Sequence, residues 1–153
     1  MEKSFLEAWD THNRINVYLL DAIQPAALEA VSASKGRRVA EQFAHIHNVR
    51  LMWLKASAPD LLKGLIKIEN EDAADKKLLK KSLENSGKAV AKLLERTEAI
   101  GRIKGFKPHA AAFLCYLISH ESHHRGQIAL TLKQAGHSLD KKAAYGIWEW
   151  GVR

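Results

Sequence analysis

The chain has 153 residues, 46% hydrophobic and 27% charged, which suits one globular domain over residues 1–153 built round a single sizeable core. No apolar run approaches the ~20 residues that span a bilayer, and the first ten residues lack the basic start and long apolar stretch of a secretory signal, so no membrane role is expected. The formal net charge of +7 invites a nucleic-acid reading, but Lys76, Lys77, Lys80, Lys81, Lys88 and Lys92 alternate with leucines at helical spacing, the pattern of a solvated helix face, and no nucleic-acid-binding signature accompanies them. Non-specific attraction to polyanions is expected; specific nucleic-acid binding is not.

No convincing period-two strand occurs anywhere, and the predicted elements are all helical. A first helix is predicted over roughly 4–23, with Ser4 as N-cap and Phe5, Trp9, Ile15, Leu19 and Ile23 along one side. Pro25 and the stretch Ser32-Ala33-Ser34-Lys35-Gly36 mark a longer connection. A second helix over about 37–57 ends before Pro59. After a linker containing Gly64 comes a lysine-rich third helix from about Asp72 to Ile100, punctuated at Ser86-Gly87 and closed by Gly101 and Gly105. Pro108 suits the first turn of a fourth helix and Gly136 its C-terminal cap, for a length of about 28 residues. A short fifth helix from Asp140 carries Tyr145, Trp148 and Trp150. Four long amphipathic helices make a four-helix bundle the expected architecture: all-α, with a short extra C-terminal helix. Cys115, the lone cysteine, lies in the apolar string Phe113-Leu114-Cys115-Tyr116-Leu117 and reads as a buried thiol in a reducing compartment, so a cytoplasmic location is expected.

The most informative string is His120-Glu121-Ser122-His123-His124-Arg125-Gly126-Gln127. On a helix His120 and His124 lie one turn apart on one face, so both imidazoles can reach a single ion, and neutral imidazole is a common ligand of zinc, nickel, copper and iron. A third ligand can come from the second helix, which contains His45 and His47. These point roughly 200° apart, so only one can join the pair. His45 shares a stripe with Gln42, Val49 and Met52, and His47 with Phe43, Leu51 and Leu54; periodicity does not choose between them. Either choice leaves an open coordination position, as in catalytic or ligand-binding metals, and no cysteine stands near to close a structural zinc site. His12, His109 and His137 have no partner at useful spacing and read as surface or capping residues, and His123 reads as a rim residue.

These residues resemble the DinB/YfiT-like family of metal-dependent four-helix-bundle proteins. One hallmark of that family, a histidine, three residues, then a second histidine within His-His-Arg-Gly-Gln, stands here as His120 to Gln127; the other, a helix-2 histidine in an apolar-Ala-His-Ile setting, stands as Phe43-Ala44-His45-Ile46. Trp9, Asn13, Arg14, Val49-Arg50, Trp53-Leu54 and a serine-containing, leucine-rich third helix extend the similarity over nearly the whole chain. The resemblance implies His45, His120 and His124 as the ligands of a divalent transition metal, with nickel, zinc, iron and manganese not distinguished, and decides against His47.

His120-Glu121-Ser122-His123-His124 also satisfies the His-Glu-x-x-His pattern of zinc proteases. The extended version fails at Gln127 and Leu130, the only downstream glutamate is Glu149, and no strand is present to hold an extended peptide. Glu121 is expected either to lean over the open position as a proton acceptor or to pair with Arg125 one turn on. Arg125 could grip a substrate carboxylate or form an ordinary ion pair, Gly126 would permit close helix approach, and Gln127 could orient a histidine. Phe113, Tyr116 and Leu117 read as core. No catalytic residue is assigned with these ligands. What the resemblance implies is a metal-dependent transferase or hydrolase that activates a thiol or water toward a small electrophile, since relatives in the broader superfamily include thiol-dependent S-transferases and a maleylpyruvate isomerase. The small-molecule substrate would be joined by a low-molecular-weight thiol, and a homodimer is implied, with Trp148 and Trp150 as exposed tail aromatics that could equally cover the bundle end. The alternative is a non-catalytic metal- or small-ligand-binding stress protein.

Overall fold

A computed structural model describes residues 3–97 and 99–153. Among these residues five α-helices follow one another: α1 (Lys3–Asp21), α2 (Val39–Ser57), α3 (Lys76–Arg96), α4 (Ala110–Gln134) and the short α5 (Lys141–Gly146), with short 3-10 turns in the connections. Among the described residues there is no strand, only an isolated bridge between Arg102 and His109. Among the described residues no helix is long and apolar enough to cross a membrane.

Each of α1 and α2 packs against both α3 and α4, so α1/α2 and α3/α4 form the diagonals of the bundle. Side-chain pairings give the directions. On α2 and α4, Gln42 meets His124 and Trp53 meets Phe113, so these helices are antiparallel. Between α2 and α3, His47 meets Ser82 and Arg50 meets Ser86, so these run parallel, joined by the long 58–75 connection. Trp9 donates to the Gly87 carbonyl (2.9 Å) and Lys80 reaches Asp21 (2.9 Å), which sets α1 antiparallel to α3.

The helix ends obey local chemistry, with shifts from the expected boundaries. α1 begins at Lys3, which puts Ser4 inside the helix rather than at its cap; the residue before Lys3 lies outside the described residues. α3 starts four residues later than expected because Asp75, not Asp72, accepts the Leu78 N–H (3.0 Å). It ends at Arg96 rather than Ile100, and Glu98, within the expected span, lies outside the described residues. It also runs unbroken through Ser86-Gly87. The glycine is there for approach: a Cβ on Gly87 would collide with the Asn13 amide of α1. In α4 the cap is His109, whose Nδ1 accepts the Ala112 N–H (3.2 Å), so Pro108 precedes the helix instead of opening it. Gly136, at φ 81°, closes α4 as expected, with the His137 N–H returning to the Leu132 carbonyl (2.8 Å). The Lys-rich face of α3 is solvated, with Lys77, Lys81, Lys88 and Lys92 at least partly exposed.

The core is split in two. One apolar cluster holds Leu19, Leu20, Phe43, Ile46, Leu79, Leu83 and Ile128; the other holds Trp9, Leu54, Val90, Leu94, Phe113 and Leu117. Between them, every long helix contributes buried polar residues: His12 and Asn16 from α1, Arg50 from α2, Ser86 from α3, and Glu121 and Arg125 from α4. Cys115 is exposed, against expectation: Phe113, Leu114 and Leu117 take the core-facing positions of that turn and rotate the thiol outward.

Candidate metal centre

The antiparallel register of α2 on α4 brings His45, His120 and His124 together, with one nitrogen from each lying within 4.8 Å of the others. The ring of His45 lies 4.6 Å from that of His124 and 5.5 Å from that of His120, centroid to centroid. The Nε2 atoms of His120 and His124 face each other at 3.2 Å. Two imidazole nitrogens bound to one ion at about 2.0–2.1 Å would stand roughly 3.0–3.4 Å apart in tetrahedral or octahedral geometry, so the pair is already spaced for a shared cation.

The tautomer of His124 follows from its neighbour. Its Nδ1 lies 2.6 Å from Oε1 of Gln42. An amide oxygen only accepts, so Nδ1 carries the proton and Nε2 presents its lone pair to the centre. Burial first, then the neighbouring His120 and His45, push the His124 pKa down to about 4. His45 is lowered by burial and by the charge of Arg37, and His120 by burial, with Glu121 opposing and His123 and Arg37 reinforcing. All three rings are therefore neutral at pH 7, the form that binds metal. The Nδ1 of His120 is buried with no hydrogen-bond partner. Spacing, tautomer and charge state all fit a divalent transition metal. Among the described residues no aspartate, glutamate or cysteine joins the trio, and three protein ligands leave a coordination position open.

His47, the residue that periodicity could not separate from His45, lies on the other side of α2. Its Nδ1 is 3.1 Å from the Ser82 carbonyl and its Nε2 2.8 Å from that of Ile66, so it pins the 58–75 connection to α2 and α3. His109 caps α4, and His137 and His123 are exposed. His12 overturns its expectation. It is fully buried, with Nε2 2.7 Å from Glu121 and Nδ1 accepting from Arg125 (3.2 Å).

Glu121 does not lean over the metal position, nor does it pair with Arg125. It points into the polar layer, where Arg50 donates through Nε to Oε1 and through Nη2 to Oε2, both at 2.7 Å, while His12 and Asn16 also donate to Oε2 (2.7 and 2.8 Å). Oε2 thus accepts three hydrogen bonds and Oε1 one, all from within the layer. Burial opposes its ionisation, but the charge and hydrogen bonds of Arg50, with those of His12, hold it well below the usual carboxylate range. Arg125 is likewise engaged, donating to Asn16 Oδ1 (2.7 Å), Ser122 Oγ (2.9 Å) and His12. It lies buried in the polar layer and forms no ion pair at the surface. A Cβ on Gly126 would meet nothing within 4 Å, so this glycine does not serve helix approach. The orienting amide belongs to Gln42 instead of Gln127. Gln42 stands three residues before His45 on the same stripe, a signal present in the sequence but without a known partner across the bundle.

Phe113 and Leu117 are core, as expected, whereas Tyr116 is half-exposed and lies over the His120 ring, nearly parallel at 18° and 6.2 Å between centroids. Trp53 and Phe106 pack edge-on nearby and continue this aromatic wall beside the trio. Trp150 approaches His12 (6.5 Å) and so partly covers one side of the bundle, while Trp148 is exposed. The family model for the DinB family matches residues 1–148. No curated protein and no solved structure gives a significant match. With a match that spans all five helices and the histidine trio, the chain belongs to the DinB family.

Proposed function

We propose that this protein is a divalent-metal-dependent transferase or hydrolase acting on a small-molecule electrophile. The observation that carries this reading is the convergence of three neutral imidazoles with no fourth protein ligand among the described residues. When bound, a divalent cation there would supply Lewis acidity, with its full charge available to make a coordinated thiol or water more acidic. The chain's own contribution is orientation and access. Gln42 holds the His124 ring in one tautomer, and the Tyr116 ring, stacked on His120, forms one wall of the approach. The metal is nickel, zinc, iron or manganese, the co-substrate a low-molecular-weight thiol, and the assembly a homodimer.

A second reading, a non-catalytic metal- or small-ligand-binding stress protein, is favoured by one observation: both oxygens of the carboxylate adjacent to His120 are bonded within the polar layer, so it offers no base to the centre. Elemental analysis of untagged protein, followed by a screen of thiols with electrophiles, separates the two. Turnover that depends on thiol or water and disappears in His124→Ala supports the enzyme. Tight metal binding without turnover across a broad panel supports the second reading.

A further inference from the structure

Beside the trio lies a cavity of ≈ 270 Å³ between the 32–37 loop and the last turns of α4. Its wall includes Lys35, Arg37, Gln42, Gln127 and Thr131, and no carboxylate. Gln42 belongs to both places: its Oε1 is spent on His124, which leaves its amide N–H groups on a side chain that lines the cavity. From His124 to Gln127 and Thr131 is three to seven residues along α4, or about 5–10 Å of rise, well within the reach of one small molecule.

The other polar groups of the loop hold its shape. Ser32 Oγ donates to the Lys35 carbonyl (2.7 Å) and is 3.1 Å from Ser34 Oγ, and the Ala33 N–H donates to Gln134 of α4 (2.9 Å). Lys35 and Gly36 both stand in the left-handed region, at φ 66° and 103°, a turn that the non-glycine Lys35 adopts at some cost. The cations are in a different state. Arg38 is committed to Glu29 and the Asn70 carbonyl, Arg50 to Glu121, Arg96 to Asp60 and Arg125 to Asn16. Lys35 and Arg37 have no side-chain partner among the described residues, and both are exposed at the cavity. Arg37 lines the same cavity as Gln42, whose Oε1 is bonded to His124 of the trio. A divalent ion on neutral ligands, two uncommitted cations and no carboxylate in the cavity wall make a site with one sign of charge.

We propose that this cavity is an anion subsite, in which Lys35, Arg37, Gln42 and Gln127 hold a carboxylate or phosphate group of the substrate while its reactive end faces the histidine trio. A planar guanidinium with a point ammonium and two amide donors suits an oxyanion with several acceptor atoms. This substrate class rests on the reading of the trio as a reaction centre, and the test keeps the two separate. Metal-free protein labelled with ¹⁵N is titrated with inorganic phosphate and, in a second arm, with succinate, and amide shifts are followed. Saturable shifts confined to residues 32–37, Gln42 and Gln127, weakened at least about tenfold in Arg37→Ala and less in Arg37→Lys, are the expected result. The arm with the tighter binding identifies phosphate or carboxylate as the group preferred. Lys133→Ala, on an exposed turn of the same helix, controls for net charge and should leave the titration unchanged. Shifts that are absent, scattered over the lysine face of α3, or equal in wild type and Arg37→Ala overturn the subsite. A parallel zinc titration reads the trio by itself: metal binding that survives Arg37→Ala but not His124→Ala leaves the metal centre standing whatever the anion does.

Discussion

Arg50 clasps Glu121 with two parallel hydrogen bonds of 2.7 Å, and neither side chain is more than 1% exposed. The guanidinium also lies 5.0 Å from the Trp9 ring and donates to the Leu83 carbonyl and Ser86, so one residue of α2 ties together all four long helices at the level of the metal centre. The polar layer thus sets the register that brings His45 against His120 and His124, which are neighbours of these residues in sequence.

Glu121→Gln should therefore act on stability before chemistry. Removing the carboxylate charge leaves Arg50 buried with no counter-charge, which costs about 3–5 kcal/mol. Urea unfolding of metal-free protein would read this directly. The double variant Arg50→Met/Glu121→Leu should lose less than the sum of the two single variants, because it removes both charges together. Additive losses would show that the clasp is not a coupled unit.

Gln42→Leu removes the acceptor for His124 Nδ1 while leaving all three ligands in place. Metal affinity should fall about 10–100-fold. Competition with a chromophoric chelator measures it. Unchanged affinity would mean that the tautomer of His124 is held by something other than this amide.

His47→Ala and His45→Ala, two residues apart, should separate folding from ligation. His45→Ala should abolish tight metal binding with little effect on the unfolding midpoint, since its ring lies only partly buried. His47→Ala should retain the metal and lose about 1–3 kcal/mol, because the neutral ring's single N–H, donated to the Ser82 or the Ile66 carbonyl, is lost from a buried position. The reverse outcome would reassign the third ligand.

Stability of the metal-free protein should fall on acidification from pH 7 to pH 5. Burial lowers the pKa of both His12 and His47 from the ordinary 6.5. The unfolded chain then takes up protons first, so the stability from these groups is complete above pH 6.5 and declines below it, down to each folded-state pKa. Glu121, shifted down, adds a loss of the same sign only below the ordinary carboxylate value of 4.5. A urea midpoint that holds steady or rises from pH 7 to pH 5 contradicts the neutral state of these rings.

Gly126→Ala should stabilise the protein. The position is exposed in mid-helix with open space around it, so alanine gains roughly 0.5–1 kcal/mol of helix propensity. Gly87→Ala, equally mid-helix, should destabilise it, because its Cβ meets the Asn13 amide. Thermal unfolding of the two variants side by side checks both signs.

Much of this arrangement is local and therefore readable along the chain. The four long amphipathic segments, Gly136 as the stop of α4, and the one-turn spacing of His120 and His124 depend on contacts within a few residues, which periodicity and turn chemistry report. The sequence alone also narrowed the third ligand to His45 or His47, because a regular helix cannot turn both to one ion. The family resemblance chose His45 of the two, and only the tertiary structure decided the fate of Glu121, Gln42, Arg37 and Cys115. Which way each of these side chains serves depends on the rotation and register of one helix against another, and that is set by partners far along the chain, 71 residues away for Arg50 and Glu121 and 82 for Gln42 and His124. A buried charge must find its counter-charge wherever the bundle places it, and spacing along one helix carries no record of that distance.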